Sequence, residues 1–276
     1  MTTTKLAPNI GVEITGLTGR ELPARKVADD CQAALDQYGV VVYREIHIDD
    51  GDLVAFSRLL GDVVVPKVND PGEHPEIARI TLDPQKSVLA GYRRGNFLWH
   101  IDGATDELPQ KGTLLTAREV DPAGGDTEFA NTYAAYEALS DEEKAEIADL
   151  RVVHSFAAAQ AVAYPDATAK QRADWEKVPT RVHPLVWTRR SGRKSLLVGA
   201  TADTVVGRPA DRGRELLGRL LDWSTRPQFS LRHQWRRGDL VIWDNTGMLH
   251  RALPFEPTSR RLMHRTTLVG QELVSA

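Results

Sequence analysis

The sequence lacks several features that mark whole classes of protein. It contains a single cysteine, Cys31, so it can form no intrachain disulfide. Its polar first residues show no secretory leader, and it has no apolar run approaching the roughly 18–20 residues that span a bilayer. From these absences we expect a cytoplasmic protein without a membrane partner.

A strong excess of either charge is also absent. The 276 residues include 35 basic and 38 acidic ones, which gives a formal net charge of -3. Proteins that bind nucleic acid usually present a basic face or stripe, so nucleic acid is not an expected partner. A small acidic molecule is compatible with this composition, because a few buried cations can bind one without changing the net charge.

Short apolar segments separated by turn residues dominate the chain and predict a mainly β fold. We interpret ARITLD, VLAGYR, GTLLTAREV and the apolar segments Val40–Tyr43 and Leu240–Trp243 as strands. Helices are predicted from apolar residues spaced three and four apart, over Pro23–Tyr38, Thr132–Val152 and Pro209–Trp223. No linker rich in proline, glycine or serine divides the chain. Residues 1–276 are therefore predicted to form one domain, a β-sandwich or jelly roll with peripheral helices.

One long stretch shows neither the helical nor the strand-like spacing of apolar residues. It runs from Phe156 to Arg181, between a predicted helix and a predicted strand. Stretches of this length without secondary structure of their own are usually functional or mobile. We therefore predict a lid or insertion near residues 156–181.

The sequence WHID indicates a metal centre. It places His100 and Asp102 two positions apart after a strand-like run, and alternate residues of a strand point to the same face. His250, which ends the segment LVIWDNTGMLH, offers a third ligand. Two imidazoles and one carboxylate form the facial triad of non-haem iron(II) oxygenases, which leaves positions open for co-substrate and oxygen. An exposed or hydrogen-bonded His–Asp pair is the alternative.

A basic cluster follows the third predicted ligand. Arg261 and Arg265 are four positions apart, so on a strand their side chains face the same side. The planar guanidinium binds a carboxylate through two parallel hydrogen bonds, which suits the distal carboxylate of a dicarboxylate such as 2-oxoglutarate. The alternative for this cluster is a solvated basic strand edge.

Four segments resemble the motifs of the TauD/TfdA family of iron(II)- and 2-oxoglutarate-dependent dioxygenases: WHID, GGDTEFANTYAAYEALS, GDLVIWDNTGMLHR and SRRLMHRTTL. They occur in the family order, and the resemblance covers nearly the whole chain. It implies a double-stranded β-helix, or jelly roll, that uses Fe(II), 2-oxoglutarate and O2 and releases succinate and CO2. It also implies that a small anionic organic substrate is hydroxylated or oxidatively cleaved, and that the protein is a homo-oligomer, either a dimer or a tetramer.

The resemblance implies roles for individual residues of the metal centre and its co-substrate site. His100, Asp102 and His250 would bind iron, while Arg261 and Thr127 would bind the distal carboxylate of 2-oxoglutarate. Halogenating relatives carry a small residue in place of the metal-binding carboxylate. The presence of Asp102 therefore favours hydroxylation or a related oxidation.

Further residues are predicted to contact the substrate or to support the metal ligands. By resemblance, Arg265 would lie near the other end of 2-oxoglutarate and touch an anionic substrate, and Asn96 would line the substrate pocket. We expect Asp244 or Asn245 to orient His250, because metal ligands usually have such outer support. Additional substrate-contact candidates, each with a solvated or packing role as the alternative, are Lys67, Tyr92 and Phe156.

Two other functions are weighed against this one: a metal-binding jelly roll whose chemistry needs no oxo-acid, and a non-catalytic metabolite-binding module. The pair Arg261 and Thr127 argues against the first, which has no need of a site for a distal carboxylate. The complete ligand set argues against the second. Thr201 and Thr204 stand where an aryloxyacetate-oxidising relative carries histidines, which argues against an aryloxyacetate substrate.

Overall fold

The computed structural model describes residues 1–68, 72–121, 123–256 and 258–276. Its strands are β1 (Thr2–Lys5), β2 (Val12–Thr15), β3 (Val40–Tyr43), β4 (Ala78–Ile80), β5 (Gly112–Glu119), β6 (Thr127–Asn131), β7 (Arg151–His154), β8 (Arg181–Pro184), β9 (Val186–Thr188), β10 (Lys194–Leu196), β11 (Ala202–Val205), β12 (Ser230–His233), β13 (Leu240–Asp244), β14 (Met248–Ala252) and β15 (Leu262–Leu268). Its α-helices are α1 (Arg25–Tyr38), α2 (Asp50–Leu60), α3 (Thr132–Glu137), α4 (Asp141–Ile147), α5 (Phe156–Ala163), α6 (Ala169–Trp175) and α7 (Ala210–Ser224). The fold is mainly β, with several sheets and a few helices. Within the described ranges, no helix is both long and apolar enough to cross a bilayer.

A seven-stranded sheet in the order β1-β2-β3-β13-β5-β15-β4 forms the centre of the molecule. Its neighbouring strands are antiparallel except for the parallel pair β2 and β3. Strand β5 is buried on both faces, so Leu114 packs on one side of the sheet and Leu115 on the other. This two-sided burial explains why its sequence is nearly continuous in apolar and small residues.

The helices α1 and α2 cover one face of this sheet. Helix α1 buries Ala28, Cys31 and Leu35, which recur at spacings of three and four and so form one apolar stripe. Helix α2 begins after Asp49, whose carboxylate accepts a hydrogen bond from the amide of Asp52 at 2.8 Å. The position of α1 agrees with the predicted helix Pro23–Tyr38.

A smaller antiparallel sheet, β12-β6-β14, packs over the opposite face. The core between the two sheets includes Phe129 and Met248 from the small sheet and Trp243 and Met263 from the large one. A third core lies among β7 to β11 and α3, α4 and α7, around the fully buried Trp187. The space between the first two sheets holds the candidate site.

Three segments differ from the sequence prediction. The segment VLAGYR contributes to a 3-10 helix, Ala90–Phe97, and not to a strand. The predicted helix Thr132–Val152 is divided into α3 and α4, because Ser140 and Glu143 form a capping box that starts a new helix at Asp141. Its last two residues, Arg151 and Val152, belong to strand β7. Residues 156–181 contain the two short helices α5 and α6 in place of an irregular stretch.

Candidate metal centre and co-substrate pocket

Hydrogen bonds between main-chain groups bring His100 and His250 together. The amide of His100 donates to the carbonyl of His250 at 3.0 Å, and the amide of His250 donates to the carbonyl of His100 at 2.9 Å. His250 lies on β14, so this bridge attaches the His100 segment to the edge of the small sheet. The centroids of the two imidazole rings are 4.2 Å apart. Because both bonds are made by main-chain groups, a change of either histidine side chain does not remove them.

Asp102 completes a group of three ligand-type side chains. Its Oδ1 lies 3.8 Å from Nε2 of His100, and its Oδ2 lies 3.7 Å from Nε2 of His250. One ligand atom from each residue lies within 4.8 Å of the other two. The Nδ1 of His100 is 2.8 Å from the carbonyl of Leu98, which can only accept, so Nδ1 carries the proton and Nε2 keeps a lone pair. Two imidazole nitrogens and a carboxylate oxygen at this spacing fit a divalent ion such as iron(II).

Burial and nearby charges set the protonation states of these ligands. Burial alone would raise the pKa of Asp102, but Arg265 and the two histidines outweigh it and hold that pKa below its ordinary value. Burial, followed by the neighbouring His100, lowers the pKa of His250 to about 3. At neutral pH, Asp102 is a carboxylate and His250 a neutral imidazole, which are the protonation states that bind a metal.

A pocket of about 550 Å³, including the space at its open mouth, lies beside the metal ligands. The sequence-predicted residues that line it are His100, His250, Asn96, Thr127, Arg261 and Arg265. The other lining residues are Ile80, Thr81, Leu82, Arg93, Phe97, Leu115, Trp243, Ala252 and Phe255. Three further substrate candidates do not line this pocket: Lys67 and Tyr92 are exposed on the surface, and Phe156 is half-buried at the start of α5.

Arg261 is a buried cation, with only 2% of the residue exposed. Its Nε donates to the carbonyl of Gly125 at 3.2 Å, and its guanidinium lies 4.8 Å from the centroid of the Phe255 ring. Burial lowers its pKa to about 10, so the side chain is still cationic at neutral pH. Within the described part of the chain, no carboxylate forms an ion pair with Arg261. Asp126 and Asp121 act on the guanidinium from beyond ion-pair distance, so an anionic ligand can still be its direct counter-charge.

Thr127 lies at the start of β6 and faces the same pocket. The indole Nε1 of Trp235 donates a hydrogen bond to Oγ1 of Thr127 at 2.9 Å. An indole nitrogen can only donate, so the hydroxyl of Thr127 accepts this bond and keeps its own proton for another acceptor. Thr127 and Arg261 together offer one hydroxyl and one guanidinium to a carboxylate.

Gly125 makes the position of Arg261 possible. Its φ is 77°, and a Cβ at this position would lie 2.6 Å from Cδ and 2.7 Å from Nε of Arg261. We expect Gly125→Ala to displace the guanidinium and to raise the KM for 2-oxoglutarate by about tenfold or more, or ~1.4 kcal/mol. Iron affinity should be unchanged. Steady-state kinetics and an anaerobic iron titration would measure both quantities.

Gly218→Ala is the matched control, because Gly218 lies on an exposed face of α7 with no heavy atom within 4 Å of the added carbon. It should leave the KM for 2-oxoglutarate unchanged. An unchanged KM in Gly125→Ala would show that the contact between Gly125 and Arg261 does not matter for co-substrate binding.

The region predicted as a lid reaches the pocket indirectly. The hydroxyl of Tyr164, just after α5, donates to the carbonyl of Gly91 at 2.6 Å and accepts from the amide of Arg94 at 3.0 Å. Both partners belong to the 3-10 helix Ala90–Phe97, and three other residues of that helix line the pocket. The first helix of the region 156–181 therefore supports one wall of the pocket from behind.

The outer support of the metal ligands differs from the sequence prediction. Neither Asp244 nor Asn245 hydrogen-bonds to His250. Asp244 accepts from the amide of Thr246 at 2.9 Å, while the amide group of Asn245 bonds to Thr113 and Trp243. The prediction that either residue orients His250 is therefore wrong.

The apolar residues of the pocket were also missed from the sequence. Ile80 and Leu115, for example, stand on strands whose patterns predict only burial. The register of the large sheet decides that they face the pocket. Phe255 follows His250 in a segment without a periodic signal, so nothing in the sequence marked it.

Comparisons with known proteins agree with the geometry of the site. A family model described as "Taurine catabolism dioxygenase TauD, TfdA family" matches residues 2–267. The chain is 35% identical over 274 residues to an α-ketoglutarate-dependent 2,4-dichlorophenoxyacetate dioxygenase of Burkholderia sp. (strain RASC), covering 94% of this chain and 91% of the relative. It is 32% identical over 284 residues to an α-ketoglutarate-dependent sulfate ester dioxygenase of Pseudomonas putida, with coverages of 96% and 88%. α-Ketoglutarate is another name for 2-oxoglutarate. The structure also resembles a crystal structure of AAD-2 in complex with Mn(II) and N-oxalylglycine, with a TM-score of 0.83, 30% identity and full coverage of both chains.

Proposed function

The chain belongs to the TauD/TfdA family and is an iron(II)- and 2-oxoglutarate-dependent dioxygenase, and we propose that His100, Asp102 and His250 bind its iron. The reaction consumes one O2, one 2-oxoglutarate and one substrate C–H bond, and it yields succinate, CO2 and a hydroxylated carbon. The observation that carries the assignment is the meeting of two imidazole nitrogens and one carboxylate within 4.8 Å at the edge of a pocket. Family membership does not favour the two alternatives, a jelly roll without oxo-acid chemistry and a non-catalytic module.

The protein's own groups hold the reactants in this proposal. Iron(II), when bound, supplies the redox chemistry that divides the atoms of dioxygen between succinate and the substrate. His100 and His250 would provide imidazole nitrogen ligands, and Asp102 would provide one negative charge. Both histidines line the pocket, so an ion between them is accessible to reactants that enter it.

We further propose that Arg261 and Thr127 bind the distal carboxylate of 2-oxoglutarate. The buried guanidinium has two terminal nitrogens for a carboxylate, since its Nε already donates to the carbonyl of Gly125. The hydroxyl proton of Thr127 supplies a further hydrogen bond. Arg265, whose Nη1 lies 3.4 Å from Oδ2 of Asp102, stands closer to the metal ligands and is proposed to attract an anionic group of the substrate.

The pocket favours a substrate with one anionic group and an apolar body. Among the described residues that line it, none is acidic, whereas three are arginines: Arg93, Arg261 and Arg265. Apolar side chains, such as those of Phe97 and Leu115, cover much of the remaining wall. A substrate ammonium group would find no carboxylate partner on this wall. We therefore propose that carboxylates, sulfates or sulfonates of apolar compounds are the substrates, and that zwitterions are poor ones.

The fate of the hydroxylated carbon depends on its neighbour. If that carbon bears an ether or sulfate-ester oxygen, the product is unstable, and it separates into a carbonyl compound and an alcohol, phenol or sulfate. Oxidative cleavage is then the net reaction. The names of the Burkholderia and Pseudomonas relatives, a 2,4-dichlorophenoxyacetate dioxygenase and a sulfate ester dioxygenase, support both kinds of substrate. The expectation that aryloxyacetates are not substrates, based on Thr201 and Thr204, stays a prediction, and a screen that includes aryloxyacetates tests it.

A substrate screen tests the proposed class. Succinate formation is measured with iron and 2-oxoglutarate present, for aryloxyacetates, alkyl sulfates and alkyl sulfonates, and for taurine as a zwitterion of similar head group. We expect turnover with at least one apolar-bodied anion at a rate at least about tenfold above that with taurine. An alkylsulfonate matched to taurine in length isolates the effect of the ammonium group. Preference for taurine over this compound would contradict the proposed class.

We also propose features of the whole molecule. A mostly antiparallel seven-stranded sheet packed face to face against an antiparallel three-stranded sheet supports a double-stranded β-helix, or jelly roll. The chain is proposed to be one domain over residues 1–276, in which residues 156–181 act as a lid over the pocket wall. Resemblance to the family supports a homo-oligomer, a dimer or tetramer. The single cysteine, Cys31, is buried and free, and we propose a cytoplasmic location.

A further inference from the structure

A chain of buried hydrogen bonds begins at the carboxylate of Asp102. Oγ1 of Thr113 lies 3.2 Å from Oδ2 of Asp102, and Nδ2 of Asn245 lies 2.9 Å from the same Oγ1. Nε1 of Trp243 donates to Oδ1 of Asn245 at 2.8 Å. Thr113 and Asn245 are fully buried, and Trp243 is 2% exposed. Because these side chains are buried away from water, each polar group depends on its protein partner for a hydrogen bond.

The donor and acceptor of every bond in this chain are determined. The indole of Trp243 can only donate, so the amide oxygen of Asn245 must face it. The amide NH2 of Asn245 therefore faces Thr113 and donates to its hydroxyl oxygen. The hydroxyl of Thr113 has one proton, with which it donates a hydrogen bond to the carboxylate of Asp102. The protein thus presents a hydrogen-bond donor to one chosen oxygen of the carboxylate.

The sheet register places these residues. Thr113 on β5 is directly opposite Trp243 on β13, so their side chains lie on the same face of the sheet. The turn after β13 is held by the amide of Asn245, which donates to the carbonyl of Lys111 at 3.1 Å. The ring of Trp243 also lies 4.8 Å from that of His250, centroid to centroid. The chain therefore lies against two of the three proposed ligands.

The two oxygens of Asp102 have different surroundings. Oδ2 is contacted by the hydroxyl of Thr113 at 3.2 Å and by Nη1 of Arg265 at 3.4 Å. Oδ1 makes no hydrogen bond among the described residues. Each oxygen also faces one imidazole: Oδ1 lies 3.8 Å from Nε2 of His100, and Oδ2 lies 3.7 Å from Nε2 of His250. The bonds to Oδ2 therefore fix the rotation of the carboxylate that faces both imidazoles.

We propose that Thr113 and Asn245 are positioning residues that hold the carboxylate of Asp102, through Oδ2, in the orientation in which it would bind the metal. This inference rests on the proposed metal centre and extends it to residues beyond the ligands. Without the donor from Thr113, Arg265 is the remaining hydrogen-bond partner of the carboxylate among the described residues. The orientation of the carboxylate is then less restricted, which weakens metal binding and changes the ligand field.

The test uses Co(II), whose visible absorption reports on the ligands around the ion, with the full-length protein and no 2-oxoglutarate. Thr113→Val removes the hydroxyl at nearly constant shape. Asn245→Asp removes the amide NH2 that donates to the hydroxyl oxygen of Thr113, so the hydroxyl proton is no longer directed toward Asp102. We expect both variants to bind Co(II) about 10–100-fold more weakly, as outer-shell changes at metal sites commonly do, and to shift its visible bands. Thr113→Ser keeps the hydroxyl and should restore both affinity and spectrum.

Thr116→Val provides a matched control. Thr116 is a fully buried threonine on the same strand, on the face opposite Thr113, and its hydroxyl has no hydrogen-bond partner among the described residues. It should leave Co(II) affinity and spectrum unchanged. Thermal melting of each metal-free variant separates a general loss of stability from a change at the metal.

The outcomes distinguish an error in the proposed positioning role from an error in the proposed metal centre. Wild-type Co(II) affinity and spectrum in Thr113→Val would overturn the positioning role, and so would failure of Thr113→Ser to restore them. If Thr113→Val does not fold, Asn245→Asp and Thr113→Ser decide the question by the same two measurements. Absence of Co(II) binding by the wild-type protein would instead overturn the proposed metal centre, and the positioning role with it.

Discussion

Replacement of His100 by alanine is expected to abolish both iron binding and succinate formation. The change removes one of the three proposed ligands but keeps the two main-chain hydrogen bonds to His250. Loss of a direct ligand should exceed the 10–100-fold effect typical of outer-shell changes, so iron affinity should fall by more than about 100-fold. Anaerobic titration with Fe(II) and 2-oxoglutarate measures the effect through the visible charge-transfer band of the oxo-acid on iron.

An exposed histidine provides the control for this experiment. His47 lies on the surface with a φ of 52°, a conformation that asparagine tolerates, so His47→Asn should bind iron and form the band like the wild type. If His100→Ala kept the band at wild-type intensity, His100 would not be an iron ligand. If the wild-type protein bound iron but never formed the band, the co-substrate assignment would be the part in error.

Arg261→Ala is expected to have the second large effect, on 2-oxoglutarate and not on iron. Truncation of one partner in a buried charge pair typically costs ~2–5 kcal/mol, so the KM for 2-oxoglutarate should rise by about 30-fold or more. Arg261→Lys should recover part of this loss, since lysine keeps the charge but not the two parallel donors. Steady-state kinetics at saturating iron and substrate measure the change.

The adjacent Arg260 offers a closely matched control. Its side chain is 86% exposed and pairs with Glu119, so Arg260→Ala removes the same charge from the same segment without touching the pocket. The KM for 2-oxoglutarate should then stay within about twofold of the wild type, because exposed ion pairs contribute little. Equal KM values in the Arg260 and Arg261 variants would remove Arg261 from the co-substrate site.

The spacing of apolar residues predicted those elements of the fold that are determined by interactions between residues close together in the sequence. The stripe of α1 and the apolar run of β3 have strong periods, and the structure has both within two residues of the predicted bounds. Ser140 stands three residues before Glu143, but the spacing of apolar residues on both sides of it predicted one continuous helix. The cap ends that continuity, because its hydrogen bonds satisfy the first amides of a new helix.

Other features depend on partners that the chain supplies from far away. VLAGYR has a strand-like pattern, yet Val88 and Tyr92 are exposed and the segment forms a 3-10 helix whose carbonyl and amide groups bond to Tyr164. These two hydrogen bonds span 70 and 73 positions and have no local signature. The contact of Gly125 with Arg261 is likewise set only by tertiary packing.

In the candidate site, too, some features were predictable from the sequence and others depend on tertiary structure. The metal ligands were predicted because the chemistry needs specific residue types at a specific spacing, and family resemblance strengthened that prediction. Trp243 and Asn245 stood within a recognised motif, but their roles depend on the register that sets Thr113 opposite Trp243. A sequence pattern identifies which residues are present, whereas the direction of each hydrogen bond appears only once the strands are paired.

The main-chain bridge between His100 and His250 has a thermodynamic consequence. It joins two segments that are distant in the chain, so the proposed ligand set exists only after the small sheet has assembled. A metal ion that binds this set binds the native state and not the unfolded chain, and by mass action its binding free energy adds to the free energy of unfolding. Occupancy of the site and global stability are therefore linked quantities, and a destabilising change far from the pocket lowers apparent metal affinity once the unfolded population becomes appreciable.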